Sequence, residues 1–367
     1  MKLVITGGGS GGHIQPLLAV LSQLSPLVEA RNQSLVVHWL ASKAGPEYRQ
    51  SQESNILFHH VPAGKWRRYF DWHNFTDIFK TMYGIAVACR KLRQLKPDLI
   101  FSKGGFVSFP VVIAGKILGI PVIAHESDII PGLTTKLCFR FVTKQCIGFA
   151  SGRQYFDQPE KVIHTGTPLR PSIFMGNAEN GLIRLGITKK TKPILLCMGG
   201  SLGAAAVNQL IIDLLPTLLP AYTIIHSTGS GKNTHTEHPD GYHAFESIGT
   251  DELADFYQCA DVIISRAGAT TVCEITSLKK AAILIPLPRS QSRGDQIINA
   301  KEVSILPGIT MIEEEQLTAK NLLEAITTTA QMSKTDYTTQ AWRQYDCRDS
   351  SMTVASLLLT MAKSSSH

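Results

Sequence analysis

Apolar residues in this chain fall into short, nearly continuous runs, separated by longer segments of helical periodicity. The runs Leu3–Thr6, Leu35–Leu40, Leu99–Ser102, Val122–His125, Ile194–Met198, Thr223–Ser227, Val262–Ser265 and Ala282–Pro286 are four to six residues long and rich in Val, Ile and Leu. Such runs predict strands buried on both faces. Ile14–Leu24, Phe75–Leu95, Ala204–Leu215 and Val272–Ser277 predict helices between them. Alternating strands and helices with no polar strand face imply an α/β fold of parallel sheets covered on both sides. A strand running into a Gly/Ser loop opens the chain, in LVIT-GGGSGGH ending at His13. It recurs after Pro193, in ILLCM-GGSLGA. The pattern predicts two doubly wound, Rossmann-like domains with a boundary inside Thr165–Pro193, and ligands at the carboxyl ends of the strands.

Composition narrows the class. A chain of 367 residues is more than one core usually holds. With 44% hydrophobic and 18% charged residues, wholesale disorder, collagen-like repeats and a polytopic membrane protein are excluded. Seven cysteines, at 89, 138, 146, 197, 259, 273 and 347, include no C-x-x-C pair, which argues for a reducing compartment without a disulfide framework. The opening apolar run is too short for a signal-peptide core. The most apolar stretch, Val107–Ala124, is broken by Pro110, Lys116, Gly119 and Pro121. Both features predict a cytoplasmic protein without a spanning helix.

Charge is concentrated rather than spread. Between Lys65 and Lys96 eight basic residues face two acids, a surplus of six against the whole chain's +7. Trp66, Arg67, Arg68, Tyr69, Phe70, Trp72, Phe75, Phe79 and Tyr83 lie in the same stretch. From Phe75 onward Ile78, Phe79, Met82, Ile85, Ala86 and Cys89 fall on one helical stripe. Exposed aromatics with cationic flanks suit an anionic membrane surface; the alternative is a stripe packed on the sheet with solvated charges. No nucleic-acid motif accompanies the charge, so nucleic acid is not expected as a partner.

Three glycine loops follow predicted strands, at Gly7–Gly12, Lys103–Phe106 and Gly199–Gly203. The first contains G-x-G-x-x-G, yet a dinucleotide site also needs an acid ending the second strand, and Leu40-Ala41-Ser42-Lys43 has none. What remains is close backbone approach to an anion at a helix N-terminus, with phosphate or pyrophosphate the natural ligand; a tight turn without a ligand is the alternative. His13 closes the first loop and suits a general base, or a helix-start residue bonded to its own loop. His125-Glu126-Ser127-Asp128 ends a strand with polar residues, and Ile129 excludes the zinc motif H-E-x-x-H. In the second half Ser265–Glu274 reads as strand, turn and helix start. There the N–H groups of Ala269–Thr271 would hold a phosphate, and Glu274, one turn on, would accept vicinal hydroxyls or answer the helix dipole. Asp295, Gln296 and Asn299 lie on the next helix, suited to sugar hydroxyls.

In these motifs the chain resembles the MurG family of peptidoglycan glycosyltransferases, glycosyltransferase family 28. The resemblance rests on G-G-x-G-G-H at Gly8–His13, G-G-F-x-S at Gly104–Ser108, H-E at His125–Glu126 and G-x-P-L-R at Gly166–Arg170. It continues with G-G-S-x-G at Gly199–Gly203, R-x-G-A-x-T-x-x-E ending at Glu274, and D-Q-x-x-N-A at Asp295–Ala300. It implies a GT-B fold with an N-terminal acceptor and membrane domain (1–168), a C-terminal UDP-GlcNAc domain (169–349), and a final helix at about 350–362 returning to the first. Also implied is inverting transfer of N-acetylglucosamine (GlcNAc) from UDP-GlcNAc to the C4 hydroxyl of undecaprenyl-diphospho-MurNAc-pentapeptide (lipid I), giving lipid II.

Site roles follow from the same resemblance. His13 is the catalytic base. Donor binding falls to Ser10, Gly11, Gly12, Asp128, Arg170, Ser201, Ile248, Ala269, Thr270, Thr271, Val272, Cys273, Glu274 and Gln296. Among these, Ser201 and the 269–271 backbone are on the diphosphate, Glu274 on the ribose, Ile248 on the uracil and Gln296 on the sugar. Gly104, Gly105, His125 and Glu126 lie on the acceptor side, and Trp66, Arg67, Arg68, Phe70, Trp72, Phe75 and Phe79 form the membrane patch. No cofactor and no essential metal are implied, divalent ions at most stimulating turnover. Anionic inner-membrane phospholipid and other cell-wall synthesis and division proteins are the implied partners, at the cytoplasmic face of the inner membrane. The chain departs from the family at Asp128 and Thr167, where asparagine is usual. A 2-epimerase of UDP-GlcNAc, a diacylglycerol glycolipid synthase and a non-catalytic nucleotide-sugar-binding protein would share much of this pattern.

Overall fold

Parallel strand pairing organises both halves of the chain. In a computed structural model, all residues are described except 9–10, 44, 65–72, 200–203, 230, 232–238, 332–339 and 365–367, with backbone alone for 11, 73–75, 340 and 363–364. The first sheet contains β1 (Lys2–Thr6), β2 (Val36–Ala41), β3 (Leu57–His60), β4 (Leu99–Ser102), β5 (Val122–Glu126), β6 (Lys144–Ile147) and β7 (Val162–His164), in the order β3-β2-β1-β4-β5-β6-β7. The second contains β8 (Ile194–Met198), β9 (Thr223–Ser227), β10 (Tyr242–Phe245), β11 (Val262–Ser265), β12 (Ala281–Leu284) and β13 (Ile309–Met311), in the order β10-β9-β8-β11-β12-β13. Each sheet starts in its middle, winds outward on one side, then switches to the other. The switch lies between β1 and β4 and again between β8 and β11, where a doubly wound sheet opens its ligand crevice.

Eight strands coincide with apolar runs in the sequence; β3, β6, β7, β10 and β13 do not. These five lie at or next to sheet edges and mix polar with apolar residues, as in Leu-Phe-His-His of β3, so no continuous run marks them.

The chain forms two compact units, Met1–Arg170 with Asp349–His367, and Pro171–Arg348. In the first, Leu3 and Ile5 of β1 face helix Gly11–Glu29 and the last helix, Ser350–Ser364, through Leu17, Val20, Leu24, Val354, Ala355 and Leu358. Val4, between them, faces the other layer, formed by helices His73–Leu95 and Phe109–Ile117. The period-two alternation of a strand thus buries both faces, at about 25 cal/mol per Å² of apolar surface removed from water. Ser351 donates its hydroxyl to the carbonyl of Leu169 at 2.5 Å, tying the last helix to the end of the first stretch. The second unit buries Leu195, Ile224, Val262, Ile264 and Ile283 against helix Ala205–Leu218 and helix Ala319–Gln331.

Helix His73–Leu95 has two characters. Ala88, Cys89 and Leu92 are buried in the core, whereas Ile78, Phe79, Met82 and Tyr83 stand in solvent, Phe79 at 72% exposure. Of the stripe read from the sequence, Cys89 is buried and Ile85 packs against the core, whereas Ile78, Phe79, Met82 and Ala86 face outward. Trp66, Arg67, Arg68, Phe70 and Trp72, and the side chain of Phe75, lie outside the described residues.

Candidate functional site

At the carboxyl end of the first sheet two glycine loops lie against each other. Lys103 N–H continues the ladder to Thr6 O at 2.9 Å, so the loop after β4 leaves beside the loop after β1. Gly104 and Gly105 have φ of 83° and 78°, and a Cβ on Gly105 would sit 2.5 Å from Gly8 O. Only glycine permits both that conformation and that approach. His13, in the first turn of helix Gly11–Glu29, places Nδ1 3.1 Å from Lys103 O. A carbonyl only accepts, so Nδ1 carries the proton, and in the neutral ring Nε2 carries the lone pair. Of the residues assigned to this loop, Ser10 lies outside the described set, Gly11 is described by backbone only, and Gly12 is exposed.

His125 and Glu126 end β5, and both are buried. His125 Nε2 donates to Gly166 O at 2.9 Å. Burial, then the charge of Lys103, pushes its pKa well below the ordinary value, so the imidazole is neutral. Glu126 accepts from Gly132 N–H at 3.0 Å, from the Thr135 hydroxyl at 2.6 Å and from Asp128 N–H at 3.3 Å. Its carboxylate thus organises the loop that carries Asp128 and starts the next helix. Placed on the acceptor side from sequence, these two residues shape the loops from beneath. Thr167 is fully buried beside Gly148 and Ser127, and a Cβ on Gly148 would overlap its hydroxyl. Arg170 is half-buried at the end of the first stretch.

The second sheet presents another chemistry. After β11, Arg266 is buried and donates to Ile285 O at 3.1 Å and Pro286 O at 3.3 Å, and pairs with Glu314, binding together the loops that follow β11, β12 and β13. Asn299 Nδ2 donates to Ala267 O at 3.3 Å. Offered from sequence as a sugar contact, Asn299 is fully buried and fixes the loop backbone instead. These anchors set Gly268, an ordinary N-cap at φ −63°, and the helix Ala269–Ser277 behind it. The N–H groups of Ala269, Thr270 and Thr271 belong to the first turn, where no intrahelical acceptor is available to them. Val272, Cys273 and Glu274 follow, all buried, with the Glu274 carboxylate accepting from the Tyr257 hydroxyl at 2.9 Å.

Gln296, half-buried on helix Asp295–Val303, accepts from Leu287 N–H through Oε1 at 3.1 Å. Ile248 is half-buried just before helix Thr250–Cys259, whose start is fixed by Gly249 N–H donating to Glu252 at 3.0 Å. Ser201 lies outside the described residues. On helix Ala205–Leu218, Asn208 donates to Thr228 O at 2.7 Å, so its oxygen accepts from His226 Nε2 at 3.1 Å, and His226 Nδ1 accepts from the Tyr242 hydroxyl at 3.0 Å. Burial pushes His226 down to about 4 and Tyr242 up to about 12. Sequence reading missed this chain of three, and also Tyr257, and it gave Arg266 no role of its own within its motif; a lone polar residue such as His226 in an apolar run was the one available signal. Among the described residues no three His, Cys, Asp or Glu side chains converge as metal ligands.

The model of the glycosyltransferase family 28 N-terminal domain matches residues 3–147, and that of the family 28 C-terminal domain matches residues 194–349. Similar proteins bearing the name UDP-N-acetylglucosamine–N-acetylmuramyl-(pentapeptide) pyrophosphoryl-undecaprenol N-acetylglucosamine transferase occur in Lachnoclostridium phytofermentans and Legionella pneumophila. The first is 42% identical over 330 residues, spanning 89% of each chain; the second is 42% identical over 326 residues, spanning 89% of this chain and 88% of that one. The crystal structure of Acinetobacter baumannii MurG superposes with a TM-score of 0.73 at 26% identity, covering 98% of this chain and 99% of that one. A UDP-GlcNAc 2-epimerase from Neisseria meningitidis, at 14% identity and a TM-score of 0.63, shares the fold alone. Matched in both halves and along nine-tenths of its relatives, the chain belongs to glycosyltransferase family 28.

Proposed function

We propose that the protein is an inverting N-acetylglucosaminyltransferase. It takes GlcNAc from UDP-GlcNAc to the C4 hydroxyl of the MurNAc residue in undecaprenyl-diphospho-MurNAc-pentapeptide, forming lipid II of peptidoglycan. The observation that carries this reading is the 40–42% identity, over 89% of the chain, to relatives named for that transfer. The site chemistry agrees with it. The acceptor hydroxyl attacks the anomeric carbon of the α-linked sugar, the bond to the UDP oxygen breaks, and His13 Nε2 takes the hydroxyl proton, leaving a β1,4 link. His13 is set for this by the Lys103 carbonyl, which fixes the proton on Nδ1. The first-turn N–H groups at Ala269–Thr271 stabilise the departing diphosphate, Glu274 takes the ribose hydroxyls, the backbone near Ile248 reads the uracil and Gln296 the sugar.

A lipid-linked acceptor supports a peripheral position at the cytoplasmic face of the membrane. No described helix is long and apolar enough to cross one. The exposed Ile78, Phe79, Met82 and Tyr83, with Lys80 among them, support peripheral attachment through the start of helix His73–Leu95. Binding to anionic vesicles should weaken with added salt and with Phe79→Ser plus Met82→Ser; indifference to both removes the attachment.

The deciding experiment is release of UDP from UDP-GlcNAc with and without a short-chain lipid I analogue. Release that needs the analogue, with a disaccharide product, is expected. Release or epimerisation without it would overturn the transfer.

A further inference from the structure

Tyr257 is fully buried, yet its hydroxyl meets a carboxylate: it donates to Glu274 Oε2 at 2.9 Å. A buried carboxylate must find donors, and each one also fixes its rotamer. The helix supplying Tyr257 is itself held firmly. Asp255, two residues before it on Thr250–Cys259, accepts from Asn177 N–H at 2.8 Å and from Arg184 Nε at 2.9 Å. Helix Ala178–Arg184 approaches so closely that a Cβ on Gly181 would lie 2.8 Å from Asp255 O and 2.9 Å from Cys259 Sγ. At its other end helix Thr250–Cys259 begins at the loop of Ile248 and Gly249, tied by Glu252. One rigid helix therefore connects the loop proposed for the base with the carboxylate proposed for the sugar of the nucleoside.

We infer that Tyr257 is a positioning residue for nucleoside recognition: it orients the Glu274 carboxylate toward the vicinal ribose hydroxyls, so that the enzyme distinguishes uridine from 2′-deoxyuridine diphosphates. The inference rests on the UDP reading of the site above. A carboxylate facing a diol gains most when both hydroxyls donate to it, and a fixed orientation is what makes the second bond reachable. Without the phenol the carboxylate loses one donor and its fixed rotamer, and the ribose loses its advantage over deoxyribose.

The test compares UDP and 2′-deoxy-UDP as competitive ligands of the wild-type enzyme, Tyr257→Phe and Glu274→Gln. The phenylalanine variant keeps the ring and its packing, and the ratio of two affinities on one sample does not depend on the fraction folded. In Tyr257→Phe the preference for UDP should fall by about tenfold, the worth of one hydrogen bond to a charged group, with the loss for UDP-GlcNAc appearing in KM more than in kcat. A preference unchanged in Tyr257→Phe but lost in Glu274→Gln would overturn the positioning role and leave the nucleotide site standing. A preference unchanged in both would overturn the ribose assignment, and the inference with it.

Discussion

The two units wind their strands in the same order and finish them with different chemistry. At the carboxyl ends of the first sheet, histidines and left-handed glycines predominate: His13, His125, Gly104 and Gly105. The corresponding end of the second carries a guanidinium, amides and a carboxylate, in Arg266, Asn208, Asn299 and Glu274. In the first unit the missing Cβ of glycine is used up by loop packing on loop, Gly105 against Gly8 O. In the second, side chains anchor the loop from behind, and a Cβ on Gly268 would meet nothing within 4 Å. The first arrangement suits proton transfer by a neutral imidazole of fixed tautomer. The second suits a rigid nucleotide cradle. A shared winding thus sets where a ligand sits, and the anchoring of each loop decides what is done there.

The largest expected effect divides the units by role. His13→Ala should lower turnover by about 10²–10⁴-fold while UDP-GlcNAc binding, measured by calorimetry, stays near wild type. Loss of binding with unchanged chemistry would reverse the assignment of the two ends. Next comes acid sensitivity of the second unit. His226 is held near 4 when folded, against 6.5 as its ordinary value, so the unfolded chain takes up the proton first. Stability from this group is complete above pH 6.5 and is lost as the pH falls toward 4, by at most on the order of 3 kcal/mol. Denaturant titrations across that window should show a shallower slope for His226→Gln. Then the glycines separate: Gly105→Ala should cost about 1–3 kcal/mol from its left-handed φ and the contact with Gly8 O. Gly268→Ala, the smallest effect, should change stability by less than about 0.5 kcal/mol. Equal costs in thermal melts would remove the contrast between the loops.

Much of this was legible in the sequence where the signal is local. β4, β8, β9 and β11 coincide residue for residue with apolar runs, because a strand covered on both faces has no polar position to interrupt it. Glycine loops are legible for the same reason, being properties of single residues. Edge strands such as β3 were not, since one side meets solvent. The roles of Asn299 and Tyr257 were also hidden: each is fixed by a partner at a distance in the chain, Ala267 for Asn299 and Glu274 for Tyr257. Spacing within a motif shows that a polar side chain is present, but not whether it turns toward a ligand or toward its own backbone.

The last helix carries a consequence for biosynthesis. Val354, Ala355, Leu358 and Leu359 complete the layer that covers β1 and helix Gly11–Glu29, so the N-terminal core waits until the helix Ser350–Ser364 has been made. Pro171–Arg348, by contrast, is continuous in the chain and can close while that stretch is still in the ribosome. The half made first is thus the half finished last. A nascent chain cut short before Ser350 would expose the apolar faces of Leu17, Val20 and Leu24 to the quality-control machinery.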